Sequence, residues 1–321
     1  MSDLRRREFI RLAGLATTAA GLALGQSSIG RAATATERKM TIDLVCGNLG
    51  VSANQREAIE LAARHGFESV GADGGYLASL TDDQAAELKS VLSSKGLRFG
   101  AAGLPLEFRR DEERFRESLK TLPKFAAGLK RAGVAGVGTW LTPCDDHLTY
   151  VQNFRQHALR LREAGKVSTD YGLRLGLEYV GPRTSWASRR YPFIHTMAEM
   201  KDLIAEINVG NVGFILDSWH WWHAGETAAD VLSLKASQVV AVDLNDAPNG
   251  IPKDQQVDGR RELPCATGVI DVGAFLNALS RIGYDGPVRA EPFNEAVRQM
   301  TKDDACEAAS RSLKKAFALV S

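Results

Sequence analysis

From Met40 onward the chain alternates short apolar runs with longer amphipathic stretches. Thr41 to Cys46 reads as a strand, and Asn54 to His65 as a helix stopped by Gly66. Glu68 to Ala72 is a second strand. Thr81-Asp82-Asp83-Gln84 has the form of a capping box, in which the end side chains satisfy each other's backbone amides, and it opens a helix that Gly96 closes. Leu97 to Ala102 is the third strand. Phe115, Leu119, Leu122, Ala126 and Leu129 then recur at helical spacing and form one apolar stripe. Pro123 lies inside that stripe, lacks an N–H and crowds the preceding turn, so a kink or a division of the helix is expected there.

The alternation continues with a strand over Val134 to Trp140 and a long helix between His147 and Asp170. Strand five is Leu173 to Tyr179, followed by a helix near Thr196 to Glu206. The sixth strand, Val212 to Leu216, is a near-continuous apolar run, as a strand buried on both faces reads. A short helix over Val231 to Ala236, a strand over Gln238 to Leu244 and a helix over Asp271 to Ile282 come next. The strand Val288 to Ala290 and the helix Asp304 to Leu319 close the series.

Eight strand–helix units in about 285 residues predict a single-domain α/β fold, a (β/α)8 TIM barrel over residues 40–321. A doubly wound open sheet is the competing architecture. It is disfavoured because no G-x-G-x-x-G or G-x-x-x-x-G-K motif follows the first strand.

Several strands end in a carboxylate. Leu175-Gly176-Leu177-Glu178, Phe214-Ile215-Leu216-Asp217 and Val288-Arg289-Ala290-Glu291 do so, and Val242-Asp243-Leu244-Asn245-Asp246 adds a further acidic end. Side chains at the carboxyl ends of barrel strands line the mouth where such folds carry their chemistry. Carboxylates gathered there repel one another unless a positive charge intervenes. A divalent metal is the economical solution, and oxygen-rich ligation suits Mn²⁺ or Mg²⁺, with Zn²⁺ or Co²⁺ as the alternates. The tryptophans between 140 and 222, Trp219 among them, are core by default, and those in mouth loops could stack on a sugar ring.

From Met40 to the C-terminus, and most strongly over residues 176–294, the chain resembles the xylose-isomerase-like barrels, a family that includes sugar isomerases and epimerases. The marks are Leu177-Glu178, Leu216-Asp217-Ser218-Trp219-His220, Asn245-Asp246-Ala247-Pro248, and Gly268-Val269-Ile270-Asp271 with Glu291-Pro292-Phe293. The resemblance implies a metal held by Glu178, Asp217 and Glu291, with Glu178 and Glu291 as the acid/base pair. Relatives commonly carry a histidine as the fourth ligand. This chain has Asp243 there, which is expected either to ligate in its place or to face substrate or pair with an arginine. His220 matches a position that contacts substrate or a ligand carboxylate. Arg260 or Arg261 matches an arginine placed over substrate oxygens.

The activity implied is isomerisation or epimerisation of an unphosphorylated sugar or keto-sugar through an enediolate. Elimination from an inosose or a 3-keto-glycoside, and a non-catalytic sugar-binding barrel, are the alternatives. An endonuclease-IV-like role would need a histidine-rich zinc cluster, and the chain has six histidines, mostly outside strand ends.

The first 35 residues stand apart. Arg5-Arg6-Arg7-Glu8-Phe9-Ile10, the modestly apolar Leu12 to Leu24, and Ala33-Thr34-Ala35 resemble a twin-arginine signal peptide with its cleavage site, which implies export of the folded protein to the periplasm. Removing them takes away five Arg and two acidic residues and moves the net charge from +1 to about −2. No basic footprint for nucleic acid remains, and no run reaches the roughly 18 apolar residues of a membrane span. The four cysteines have no close C-x-x-C spacing. The expected partner is a small carbohydrate, with a homo-oligomer left open.

Overall fold

The computed structural model describes residues 38–321. Eight parallel strands close into a barrel: β1 (Thr41–Leu44), β2 (Ser69–Ala72), β3 (Arg98–Gly103), β4 (Gly136–Trp140), β5 (Arg174–Glu178), β6 (Val212–Asp217), β7 (Val239–Leu244) and β8 (Pro287–Ala290). They are neighbours in chain order, with β8 returning to β1. The main connecting helices are α1 (Gln55–Arg64), α2 (Asp82–Ser94), α3 (Glu112–Ala132), α4 (Tyr150–Asp170), α5 (Met197–Ile207), α6 (Ala228–Leu232), α7 (Val272–Arg281) and α8 (Lys302–Phe317). The fold is thus the expected single (β/α)8 barrel. The signal-peptide expectation falls on residues outside those described.

The helix starts follow the sequence chemistry. Thr81 and Gln84 form the expected capping box, each accepting the other's backbone N–H. Helix α3 runs unbroken through Pro123, contrary to a division there. Its buried stripe, Phe115, Leu122, Ala126 and Leu129, packs along the whole length and holds both halves together. Helix α6 starts three residues earlier than expected, because Thr227 and Asp230 make a capping box ahead of Val231.

Strands β6 and β7 are buried at every position, as a run apolar on both faces requires. Inside the barrel, Ile215 meets Ala101 and Ala241 to form a small apolar floor. Glycines make room for it: a Cβ at Gly138 would stand 2.3 Å from the Ile215 side chain, and one at Gly176 2.8 Å. Everything above that floor, at the carboxyl ends of the strands, is available for a site.

Candidate functional site

The site is built by strand register. Neighbouring residues in a parallel sheet point to the same side. Asp217 pairs with Asp243, Asp243 with Arg289, and Arg289 with Asp43, so four charged side chains stand side by side around one level of the barrel. Arg289 lies between two aspartates and forks onto one of them, with Nε 2.6 Å from Asp243 Oδ1 and Nη2 2.9 Å from Oδ2. Asp43 is fully buried, and burial pushes its carboxyl up to about 6. Glu178 and Glu291 emerge from β5 and just beyond β8.

Asp217 ends β6 and caps the short helix Ser218–His223, accepting the Trp219 N–H at 2.8 Å and the Asn245 amide at 2.9 Å on the same oxygen. Asn245 accepts the Glu291 N–H at 3.0 Å and so ties the ends of β6 and β8 together. The long connection after β7 is pinned by Asp246, whose carboxylate accepts the N–H groups of Ala247, Thr267, Gly268 and Ile270 at 2.7–2.9 Å. Four amides on one carboxylate leave this segment little freedom.

That pinned loop delivers Arg261, which is 2% exposed, into the middle of the acids. Its Nη1 donates to Asp217 Oδ2 at 2.7 Å and to Glu291 Oε2 at 2.8 Å. Its Nη2 donates to Asp258 Oδ1 at 2.8 Å, and its Nε to the Asp258 carbonyl at 3.0 Å. The Phe293 ring lies 4.6 Å from the guanidinium carbon. Burial opposes the charge of Arg261, but Asp217, Asp258 and Glu291 hold it firmly protonated.

One guanidinium does not balance this many carboxylates. Burial, then repulsion from Glu291, Asp243 and Asp217, raises Glu178 well above the carboxylate range. Burial also lifts Asp217 to about 7 and Glu291 to about 8, although Arg261 pulls both down. Glu178 Oε1 has no hydrogen-bond partner. His220 Nε2 lies 3.7 Å from Glu178 Oε1 and 3.7 Å from Asp217 Oδ2. Its Nδ1 accepts the Gly181 N–H at 3.3 Å, its Nε2 lies 3.4 Å from Arg261 Nη2, and burial lowers the ring to about 3. At neutral pH His220 is therefore uncharged.

A cavity of ≈ 320 Å³ opens above these groups, walled by Trp140, Glu178, His220, Asp258, Arg261 and Glu291 among others. The structure thus brings Glu178, Asp217, His220, Arg261 and Glu291 together, and it separates the two candidate arginines. Arg261 is buried in the site, whereas Arg260 is exposed and walls a different surface hollow. Trp219 is fully buried with its ring 5.7 Å from the Arg261 guanidinium carbon, so it packs behind the site, and Trp140, 49% exposed, is the tryptophan on the cavity wall.

Asp243 stands in register with Asp217, with both oxygens on Arg289. Arg289, Asp258 and Asn245 were not singled out from the sequence. A signal for Arg289 existed: it precedes by two residues Glu291, the first residue after β8, so the alternation of the strand points both to the same side.

Among the described residues, two triads could offer a metal one ligand atom each within 4.8 Å: Glu178, Asp217 and His220, and Glu178, Asp243 and Glu291. A cation held by all four expected carboxylates would compete with arginines that already bond three of them. Asp243 commits both oxygens to Arg289, while Asp217 and Glu291 each commit one to Arg261. Glu178 Oε1 has no partner, and Glu291 commits only Oε2.

Comparisons with known proteins agree on the architecture. The family model described as "Xylose isomerase-like TIM barrel" matches residues 59–316. An inosose isomerase of Bacillus velezensis is 22% identical over 265 residues, covering 81% of this chain and 91% of that protein. A xylose isomerase domain protein of Alicyclobacillus acidocaldarius superposes with a TM-score of 0.77 at 32% identity, covering 87% of this chain and 99% of that one. The IOLI protein, crystallised with a zinc atom, superposes with a TM-score of 0.72 at 21% identity, covering 87% and 98%.

Proposed function

We propose that this chain, which belongs to the xylose isomerase-like TIM barrel family, is an isomerase or epimerase of a sugar or keto-sugar that moves a proton on the carbon beside a carbonyl. The observation that carries this reading is the pairing of Glu178 and Glu291 on one cavity, where burial and repulsion between carboxylates raise both carboxyls, Glu291 to about 8. Efficient general acid–base catalysis wants pKa values near the working pH. Because each ionised carboxylate makes the other harder to ionise, one of the two holds a proton while the other is ionised.

The ionised carboxylate takes the proton from the carbon next to the carbonyl. The C–H electrons form a carbon–carbon double bond, and the carbonyl electrons move onto its oxygen. The protonated carboxyl then returns a proton to the same carbon from the other face, or to the neighbouring one. The first course inverts a centre; in the second the neighbouring hydroxyl proton also passes to the former carbonyl oxygen, and ketose is exchanged for aldose. His220, an uncharged ring between Glu178 and Asp217, offers a hydrogen-bonding partner that orients a substrate hydroxyl. The negative charge on the former carbonyl oxygen needs a positive partner. Mn²⁺ or Mg²⁺ suits all-oxygen donors, and the Arg261 guanidinium is a positive charge already beside both glutamates.

The cavity's ≈ 320 Å³ suits a small molecule. The periplasmic setting implied by residues 1–35 suits an unphosphorylated one. Replacing Arg6 and Arg7 with Lys should leave the protein in the cytoplasmic fraction if that setting holds. The decisive experiment is proton exchange from D₂O into a panel of free and 3-keto sugars, followed by NMR. Deuterium at the carbon beside the carbonyl, lost in Glu178→Gln and in Glu291→Gln, is the expected result. Loss of water from the substrate would move the assignment to a lyase, and binding without exchange would move it to a sugar-binding barrel.

A further inference from the structure

We propose that Arg261 is the resident cation of this site, and that it, rather than a divalent metal, stabilises the oxyanion of the reaction. The inference deepens the isomerase reading and rests on it for the oxyanion, but its metal-binding half stands independently.

The argument begins with what each acid is already doing. Glu178, Asp217 and Glu291 converge on one region, and the guanidinium edge of Arg261 fills it. A single nitrogen, Nη1, lies 2.7 Å from Asp217 and 2.8 Å from Glu291. An ion shared by those two carboxylates would have to displace that nitrogen. Displacement is obstructed from behind, because Asp258 holds Nη2 and Nε and Phe293 covers the ring-like face of the group. The loop carrying Arg261 is itself fastened by the four amides on Asp246.

The second observation is independent and lies one strand away. A carboxylate at position 243 could have served as a further ligand, yet Arg289 neutralises it through a two-point fork. Such a fork fixes geometry as well as charge. Two buried arginines thus stand at the positions where positive charge is needed.

A guanidinium can perform the electrostatic part of the reaction. It is planar, permanently charged and rich in donors, and a preorganised charge in a water-poor cavity stabilises a developing oxyanion without reorganising. Arg261 lines the cavity together with Glu178 and Glu291, so a substrate carbonyl lying between the two carboxylates lies beside it. The step balances without any further reactant: one proton leaves carbon for a carboxylate, and the electron pair comes to rest on the oxygen facing Arg261.

The test is metal binding by the purified full-length protein, read by elemental analysis and by calorimetric titration with Mn²⁺ and with Zn²⁺. Wild type is expected to carry sub-stoichiometric metal and to show no saturable site at about 1 mM ion, a free energy of about −4 kcal/mol at most. Arg261→Met should bind either ion at least about tenfold more tightly, because it frees two carboxylates. Arg261→Lys, which keeps a charge, should stay near wild type. Wild-type protein holding one chelatable ion per chain would overturn the proposal, and so would Arg261→Met binding no better than wild type. Should Arg261→Met fail to fold, the wild-type titration decides alone.

Deuterium exchange into an active keto-sugar should persist after chelation, and its loss on chelation would also overturn the proposal. An absence of exchange with every sugar would remove the isomerase reading, whereas the titration would still report on the cation.

Discussion

The two halves of the barrel mouth differ more than their common backbone suggests. Strands β1 to β4 open onto a recess of ≈ 320 Å³ walled by Asn48, Gln55, Gly71, Gly103 and Gly138, reaching as far as Arg289. Strands β5 to β8 open onto a cavity of the same volume, walled by Glu178, His220, Asp258, Arg261 and Glu291. One half supplies space and small polar groups, and the other concentrates nearly all the charge. A fold with eight equivalent strand ends can thus keep its chemistry on four of them. The remaining four are free to accommodate whatever part of a substrate does not react.

Breaking the charged half should have the largest effects. Glu178→Gln keeps the shape but removes a proton acceptor, so turnover should fall by about 10²–10⁴ while circular dichroism stays unchanged. A loss below tenfold would detach Glu178 from proton transfer. Asn48→Ala, its counterpart across the mouth, should leave turnover within a few-fold.

Arg261→Met should lower unfolding free energy by about 3–5 kcal/mol in urea titration, because it leaves buried carboxylates uncompensated. Arg298→Met, a surface arginine on the short helix Glu295–Arg298, should cost well under 1 kcal/mol. Equal costs would mean that the buried cluster is not electrostatically poised.

The pH dependence sharpens the contrast. Asp217 and Glu291 have folded values near 7 and 8, above their ordinary 3.8 and 4.5. An acid whose value is raised by folding binds its proton more tightly in the native state. Its contribution is complete below about pH 4 and is lost as pH rises through 7 and 8. The melting temperature should therefore fall between pH 6 and pH 9, and Glu291→Gln should flatten that fall. A melting temperature that rises over this interval would contradict the assignment.

The smallest effect is expected at the rim. Trp140→Ala removes a half-exposed ring from the cavity wall and should raise KM several-fold with little change in kcat.

The acids of the charged half were legible in the sequence because each terminates a buried apolar run, and an inward carboxylate at such a place has few other uses. Their neutralisers were not. Arg261 stands next to Arg260 in a loop without periodicity, and what selects between them is the hold of Asp246 and Asp258 on the chain around it. Arg289 hid inside a strand, where its partners on β7 and β1 are distant in sequence and are set by register alone. The division expected at Pro123 failed for a related reason. Packing along α3 outweighed a local cost that the sequence displays more plainly than its compensation.

The floor made by Ile215 against Gly138 and Gly176 has a kinetic meaning. A barrel stoppered from below has one doorway, so ligand, water and product must share it and take turns. A glutamate that takes a proton from the ligand keeps it covered until that ligand departs, while the proton returned to carbon is one the other glutamate drew from solvent before the doorway was filled.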